Sequence, residues 1–220
     1  MDNLKDFKKF AIDKGVSPSY FDDYTNYVVP SIVEERSSAM RAVEMNVFSR
    51  LMYDRIIYFS GEVDQDACDT VTAQLLYLAS VDDRDINMYI NSCGGSIVDG
   101  LGVIDTMNFI KPDVTTTCIG MAASMGAVLL SNGAQGKRAV LPHSRVMIHS
   151  ASSGFRGHTA DAKIAMQQLE RCESDIYHIL AKNCGKSFDE IKQLCDRDNW
   201  FIGEEAVNSL HIADKVLIKA

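Results

Sequence analysis

The chain has 220 residues, enough for one well-packed domain and too few for two full-sized ones. Hydrophobic types make up 46% and charged types 24%, the balance of a globular chain rather than a disordered one. The formal charge of -8 argues against nucleic acid and anionic membrane partners, and the apolar runs are too short to span a bilayer or to read as a secretory signal.

Residues 1–28 read as an attached element. Leu4, Phe7, Phe10 and Ala11 recur at helical spacing before Gly15, and the aromatic, acidic stretch 19–27 suits a second short helix. After Pro30, residues 31–46 are polar with few packing signals; extended, mobile and gate-like loops all fit. A short helix is expected over 47–55, a strand over 55–61, an amphipathic helix over 64–80 and a strand over 85–91. A Gly-rich turn follows at Cys93-Gly94-Gly95-Ser96. Then come a helix over 97–110 stopped by Pro112, a strand over 114–120 and a small-residue helix over 121–133. A strand over 144–149, a long helix over 158–183, a helix over 188–197 and a short helix plus final strand within 201–217 complete the chain. Strands alternating with helices at these spacings suit right-handed crossovers, so the expected class is α/β with a mostly parallel sheet.

Six cysteines, at 68, 93, 118, 172, 184 and 195, form no CxxC pair, and free thiols in a reducing compartment are expected. The five histidines make no metal-ligand pattern, and no dinucleotide or phosphate-loop motif occurs, so no metal or cofactor is expected.

Ligand sites in open α/β sheets lie beyond the C-terminal strand ends, which singles out NSCGGS, GMAASMG and HSASSG. Gly94-Gly95 reads as a tight turn or as a nest of backbone donors that a carbonyl can approach. Ser124 lies in a G-x-x-x-S-x-G pattern, two residues longer before the serine than the α/β-hydrolase elbow. A serine there is either a cap or an exposed nucleophile, with the Met125 amide aimed at an oxyanion. His149 closes an apolar strand and is a plausible partner for Ser124. A third group must orient the imidazole, and the residues alone leave Asp196 and Asp198 both open.

As an ordered set, NSCGGSIVDG, the KPDV-to-SMGA block, LPHSRVMIH and CDRDNWFIGEEAV resemble the Clp protease proteolytic subunit family, over about residues 30–218. The resemblance implies a crotonase-like, ClpP-type α/β fold with a protruding helical handle near 150–183. It divides the chain into an N-terminal extension or propeptide (1–28), an axial segment (29–46) and a serine peptidase domain (47–220). It puts the nucleophile on Ser124, the base on His149, the orienting acid on Asp198 and the oxyanion amides on Gly95 and Met125. It further implies a homo-oligomer of two stacked seven-subunit rings in the cytoplasm, around a chamber where unfolded protein substrates are cleaved. The resemblance also implies a hexameric AAA+ ATPase that feeds the chamber and spends the ATP, this chain having no Walker A sequence of its own. Two departures stand out: Cys93 replaces the proline of the usual NSPGG turn, and Ser150-Ala151 replaces the Gln-Pro pair after the base. A crotonase-type acyl-CoA enzyme, a serine-lysine peptidase and an inactive ring subunit are the competing readings. None of them accounts for the ordered Ser, His and Asp.

Overall fold

A computed structural model describes residues 31–35, 42–154 and 158–219. The expected helices within 1–28 lie outside the described residues. The chain divides into two units, 1–50 and 51–220. In the first, β1 (Ser31–Glu35) and β2 (Ala42–Asn46) form an antiparallel pair in which Ser31 opposes Asn46 and Glu35 opposes Ala42. The polar 31–46 stretch is therefore extended at both ends. Helix α1 (Val47–Tyr53) follows, started by Asn46, whose side-chain oxygen accepts the Ser49 N–H at 2.7 Å.

The second unit is built on a seven-stranded sheet. Its elements, in chain order, are β3 (Ile56–Val63), α2 (Gln65–Val81), β4 (Ile86–Gly95), α3 (Ile97–Phe109), β5 (Val114–Ala123), α4 (Met125–Ser131), β6 (Arg138–Val140) and β7 (Arg145–Ile148). Helices α5 (Thr159–Cys184) and α6 (Phe188–Leu194), β8 (Asn199–Ile202), α7 (Glu204–Asn208) and β9 (Lys215–Val216) complete it. Strands β3, β4, β5, β6 and β9 are parallel neighbours in that order, and β7 pairs parallel with β5 and antiparallel with β8. The mostly parallel α/β sheet expected from the sequence is present.

Apolar spacing explains the helices. Cys68, Val71, Leu75 and Leu78 recur on the buried face of α2, and Val103, Ile104 and Met107 on that of α3. Asp64 and Ser96 cap the two helices by accepting N–H groups of the first turn. Helix α6 starts on a full capping box between Ser187 and Glu190. Ile57, Ile86, Ile90, Leu129, Leu130, Ile148 and Leu180 are almost fully buried in the shared core.

Strand β5 is where the sheet divides. Its first part pairs with β4, and Thr116–Cys118 pair with β6 on the other side. After Gly120 the second part, Met121–Ala123, pairs with β7 instead. The register against β4 slips there, and the Asn91 side chain fills the gap by accepting the Met121 N–H at 3.2 Å.

Several boundaries differ from the sequence reading. The Gly-rich turn is the end of β4, which stays paired with β3 through Gly95. The small-residue helix is shorter than 121–133, because pairing with β7 keeps 121–123 extended. Strands β6 and β8 were not expected; the first is three residues long and the second buries only Phe201. Helix α5 runs one residue past the expected end to a left-handed Gly185 cap, and none of residues 159–171 is buried.

Candidate active site

Strand register assembles the site. Ala123 at the end of β5 pairs with Met147 on β7, and the Ser124 N–H donates to the Met147 carbonyl at 2.8 Å. Ile148 opposes Asn199 across the antiparallel β7–β8 pair. One step beyond that last pair, His149 therefore faces Asp198. Three elements distant in sequence thus bring Ser124, His149 and Asp198 into a line. His149 Nε2 is 2.8 Å from Ser124 Oγ, and His149 Nδ1 is 3.3 Å from Asp198 Oδ1. A carboxylate beside Nδ1 favours the tautomer with its proton on that nitrogen, which leaves Nε2 to accept from the serine hydroxyl. The side chain of Asp198 is 64% exposed and that of His149 is 26% exposed, so the line opens to solvent at its acidic end. Asp196 does not join it; its carboxylate lies 3.8 Å from the Arg197 guanidinium.

Ser124 sits between β5 and α4 with φ 54° and ψ -123°, a conformation that costs a non-glycine residue on the order of 1–3 kcal/mol. Both neighbours enforce it. The amide is tied to Met147, and the carbonyl accepts from Ala127 at 2.9 Å and from Val128 at 3.3 Å. Every residue of α4 is buried, so the turn cannot relax by shifting the helix. The serine thus sits at a sharp strand-to-helix corner rather than inside the helix expected over 121–133.

Gly94 and Gly95 close the site from β4, with φ 92° and φ 151°. A Cβ at Gly94 would lie 2.6 Å from Ser124 Cβ and 2.7 Å from the Ala123 carbonyl, and one at Gly95 would overlap the Val63 carbonyl. Only glycine allows this backbone to press against the nucleophile corner on one side and β3 on the other. The buried Ser92 hydroxyl braces the turn, donating to the Gly61 carbonyl at 2.6 Å and accepting the Gly94 N–H at 3.1 Å. Met125, as the first residue of α4, has an N–H with no acceptor inside its own helix. Gly95 and Met125, the expected oxyanion amides, flank Ser124 on these two segments.

A cleft runs from Ser124 and His149 between α4 and α5. Ile97, Val128, Ile148, Ile176 and Leu180 give it apolar walls. Glu173 and Tyr177 add polar groups to its lining, and Glu173 Oε1 accepts the Ala151 N–H at 2.8 Å. Burial and a hydrogen bond to Glu173 push the Tyr177 phenol above its usual range. The sequence reading missed Glu173 and Tyr177. With Ile176 and Leu180 they form an i, i+3, i+4, i+7 stripe on α5, which in sequence reads as an ordinary core face.

All six thiols are free. Burial pushes Cys68, Cys118 and Cys184 up to about 11 and Cys195 up to about 12, which keeps these four protonated and unreactive. Cys93, beside the glycine pair, is exposed. No group of three or more His, Cys, Asp or Glu side chains suited to a metal ion occurs among the described residues, and no described helix is long and apolar enough to cross a membrane.

The family model described as Clp protease matches residues 39–219. A Bacteroides fragilis protein named ATP-dependent Clp protease proteolytic subunit is 45% identical over 98% of this chain and 100% of its own length. A protein of the same name from Bacteroides thetaiotaomicron is 45% identical with the same coverage. Another from Porphyromonas gingivalis is 43% identical over 98% of this chain and 99% of its own length.

Proposed function

The chain belongs to the Clp protease family, and on that premise we propose that Ser124, His149 and Asp198 cleave peptide bonds through an acyl-enzyme. The family's activity is that of an ATP-dependent serine endopeptidase acting in protein quality control. The observation that carries the assignment is the unbroken Ser124–His149–Asp198 line, at 2.8 and 3.3 Å, built from three separate segments.

Ser124 Oγ attacks the scissile carbonyl while His149 Nε2 takes its proton. Asp198 holds the Nδ1 proton and stabilises the imidazolium. The Gly95 and Met125 amides donate to the oxyanion, and one such donor contributes about 3–4 kcal/mol of transition-state stabilisation. His149 then passes its proton to the leaving amine, and in the second half-reaction it activates the water that releases the acyl group. No step calls for a metal or cofactor. The strained serine corner supports this reading, since it fixes the hydroxyl before substrate arrives and spares reorganisation in the transition state. An extended substrate would add a strand beside the β4 end and place one side chain in the apolar cleft.

The remaining family features are part of the same proposal. The fold is crotonase-like, and residues 150–183 form the handle. Helix α5 supports that, because none of residues 159–171 is fully buried within the chain and Ile164 and Met166 are 67% and 49% exposed. Handles of this kind would join two stacked seven-subunit rings around a chamber. The β1–β2 pair falls in the segment 29–46 proposed to line the axial pore, and residues 1–28 are proposed as an extension or propeptide. A hexameric AAA+ ATPase in the cytoplasm would deliver unfolded chains; the words "ATP-dependent" and "subunit" in the relatives' name support a partner that supplies the ATP step.

Labelling with a fluorophosphonate probe, read together with native mass, tests the proposal. Wild-type protein is expected to label at Ser124 in a particle of about fourteen subunits, and Ser124→Ala to lose both labelling and peptide cleavage in a particle of the same mass. Cleavage that persists in Ser124→Ala would sink the assignment.

A further inference from the structure

We propose, on the peptidase reading above, that Glu173 is a positioning residue for the base: by holding the Ala151 amide it keeps His149 within hydrogen-bond reach of Ser124. His149 directly follows Ile148, the last residue of β7, so sheet pairing holds it from one side only. Beyond it, residues 150–154 belong to no strand or helix, and 152–154 are exposed. Among the described residues this segment makes one hydrogen bond, from the Ala151 N–H to Glu173 Oε1 at 2.8 Å. A carboxylate acceptor at that distance makes a charge-assisted bond, stronger than one between neutral groups. The base therefore stands between two fixed points, one in the sheet and one on α5.

The anchor on α5 is firm. Glu173 comes just after the stretch 159–171, in which no residue is buried, and it sits between Cys172 and the Ile176-Tyr177 pair, which are buried. Ile176 and Tyr177 belong to the shared core, so the backbone that carries Glu173 is packed against the body of the domain. The base has more need of such a tie than its two partners. Ser124 is locked by its own corner, with its amide bound to Met147 and its carbonyl bound into α4. Asp198 gives the ring weak guidance, being 64% exposed and 3.3 Å from Nδ1. The place of the imidazole thus depends on the backbone at 149, and the 2.8 Å contact with Ser124 Oγ is the distance at stake. A shift near 1 Å in such a constellation costs about 10²-fold in rate.

Steady-state kinetics on one fluorogenic peptide and the rate of labelling by diisopropyl fluorophosphate test this in the full-length protein. Glu173→Ala is expected to lower kcat by about tenfold to 10²-fold with KM within about twofold, since the base acts in the chemical step and not in ground-state binding. The labelling rate is expected to fall by a similar factor, because the small probe needs the activated serine but not the cleft. Glu173→Gln keeps an acceptor oxygen for the Ala151 N–H and is expected to bring kcat back to within about threefold of wild type. Ala151→Pro removes the N–H from the other side. The double variant Ala151→Pro/Glu173→Ala is then expected to be no slower than the slower of its parents. A rise in KM with kcat unchanged overturns the proposal and leaves Glu173 as a wall of the cleft, which it also lines. Equal losses in Glu173→Ala and Glu173→Gln overturn it too, as do losses that multiply in the double variant. If Ala151→Pro does not fold, the comparison of Glu173→Ala with Glu173→Gln decides alone. Wild-type protein that does not label at Ser124 overturns the peptidase reading and this inference together. Labelling in wild type at a rate that Glu173→Ala leaves unchanged overturns this inference alone.

Discussion

At the scale of single residues, the acidic end of the proposed catalytic line is its least protected part. Asp198 is 64% exposed and stands 3.3 Å from His149 Nδ1, longer than the 2.7–2.9 Å common for charge-assisted N–H···O contacts. Water competes for both groups, so its contribution is expected to fall below that of a buried triad aspartate. Asp198→Asn is expected to reduce kcat by about 10² to 10³-fold, less than the roughly 10⁴-fold loss known for a buried counterpart. The imidazole would lose its preference for the tautomer that leaves Nε2 free. Asp196→Asn is the internal comparison, since that carboxylate faces Arg197 and not the histidine. It should leave kcat within about twofold, as a surface substitution away from the site does. Steady-state kinetics on one peptide checks both, and equal losses in the two variants would remove Asp198 from the line.

At the scale of elements, the site depends on how closely β4 meets the β5–α4 corner. Gly94→Ala puts a methyl 2.6 Å from Ser124 Cβ and 3.0 Å from the Met125 nitrogen, on a backbone with φ 92°. The strand must retreat or the corner must open, and a shift near 1 Å in a catalytic constellation costs about 10²-fold in rate. Gly94→Ala is therefore expected to lower kcat/KM by at least about 10²-fold. Gly102→Ala supplies the contrast: it lies inside α3 with open space around it, and it should raise stability by about 0.5–1 kcal/mol. Thermal unfolding and peptide kinetics on the two variants separate a positional effect from a generic one. The same elements show what the sequence carries by itself. The periodic helices were legible to within a residue or two, 64–80 against Gln65–Val81 and 97–110 against Ile97–Phe109, because their burial pattern is local. Strand β6 was not, since three residues that include a buried Arg138 have no alternation to read. Nor was the end of β5, where Ala122 and Ala123 favour a helix by propensity and strand pairing with β7 overrides it. Ser124 and His149 stood out as residues at strand ends. The choice of Asp198 over Asp196 came only through family resemblance, because its physical cause is the Ile148–Asn199 register, a long-range pairing. Glu173 was hidden for a similar reason: the cleft it lines has its other wall about 50 residues earlier in the chain, on α4.

At the scale of the whole domain, the two halves of the divided sheet must be held together for the line to persist, and one buried ion pair ties several of the pieces. Arg138, 2% exposed on β6, donates from Nε and a terminal nitrogen to both oxygens of Asp214, just before β9, at 3.1 and 2.6 Å. Its other terminal nitrogen donates to the Asn183 carbonyl near the end of α5 at 2.7 Å and to the Ser131 carbonyl at the end of α4 at 3.3 Å. Burial alone would raise the Asp214 carboxyl, but hydrogen bonds and charge from Arg138 outweigh it and hold the group below its usual range. A carboxyl depressed in the folded state adds stability at pH values above its unfolded value, about 3.9. That stability drains away as pH falls below this value toward the folded one. Asp214→Asn removes the ionisation and leaves the buried guanidinium without its counter-charge, so at pH 7 it is expected to cost about 3–5 kcal/mol. The gap between wild type and Asp214→Asn should then begin to narrow as pH falls through about 4 toward 3, because the unfolded wild-type chain binds a proton that the folded carboxylate still refuses. Denaturant unfolding at fixed protomer concentration, with far-UV circular dichroism across that range, reads the gap directly. A gap of constant size from pH 7 to 3 would mean that Asp214 acts through shape alone and that the clasp draws nothing from its charge.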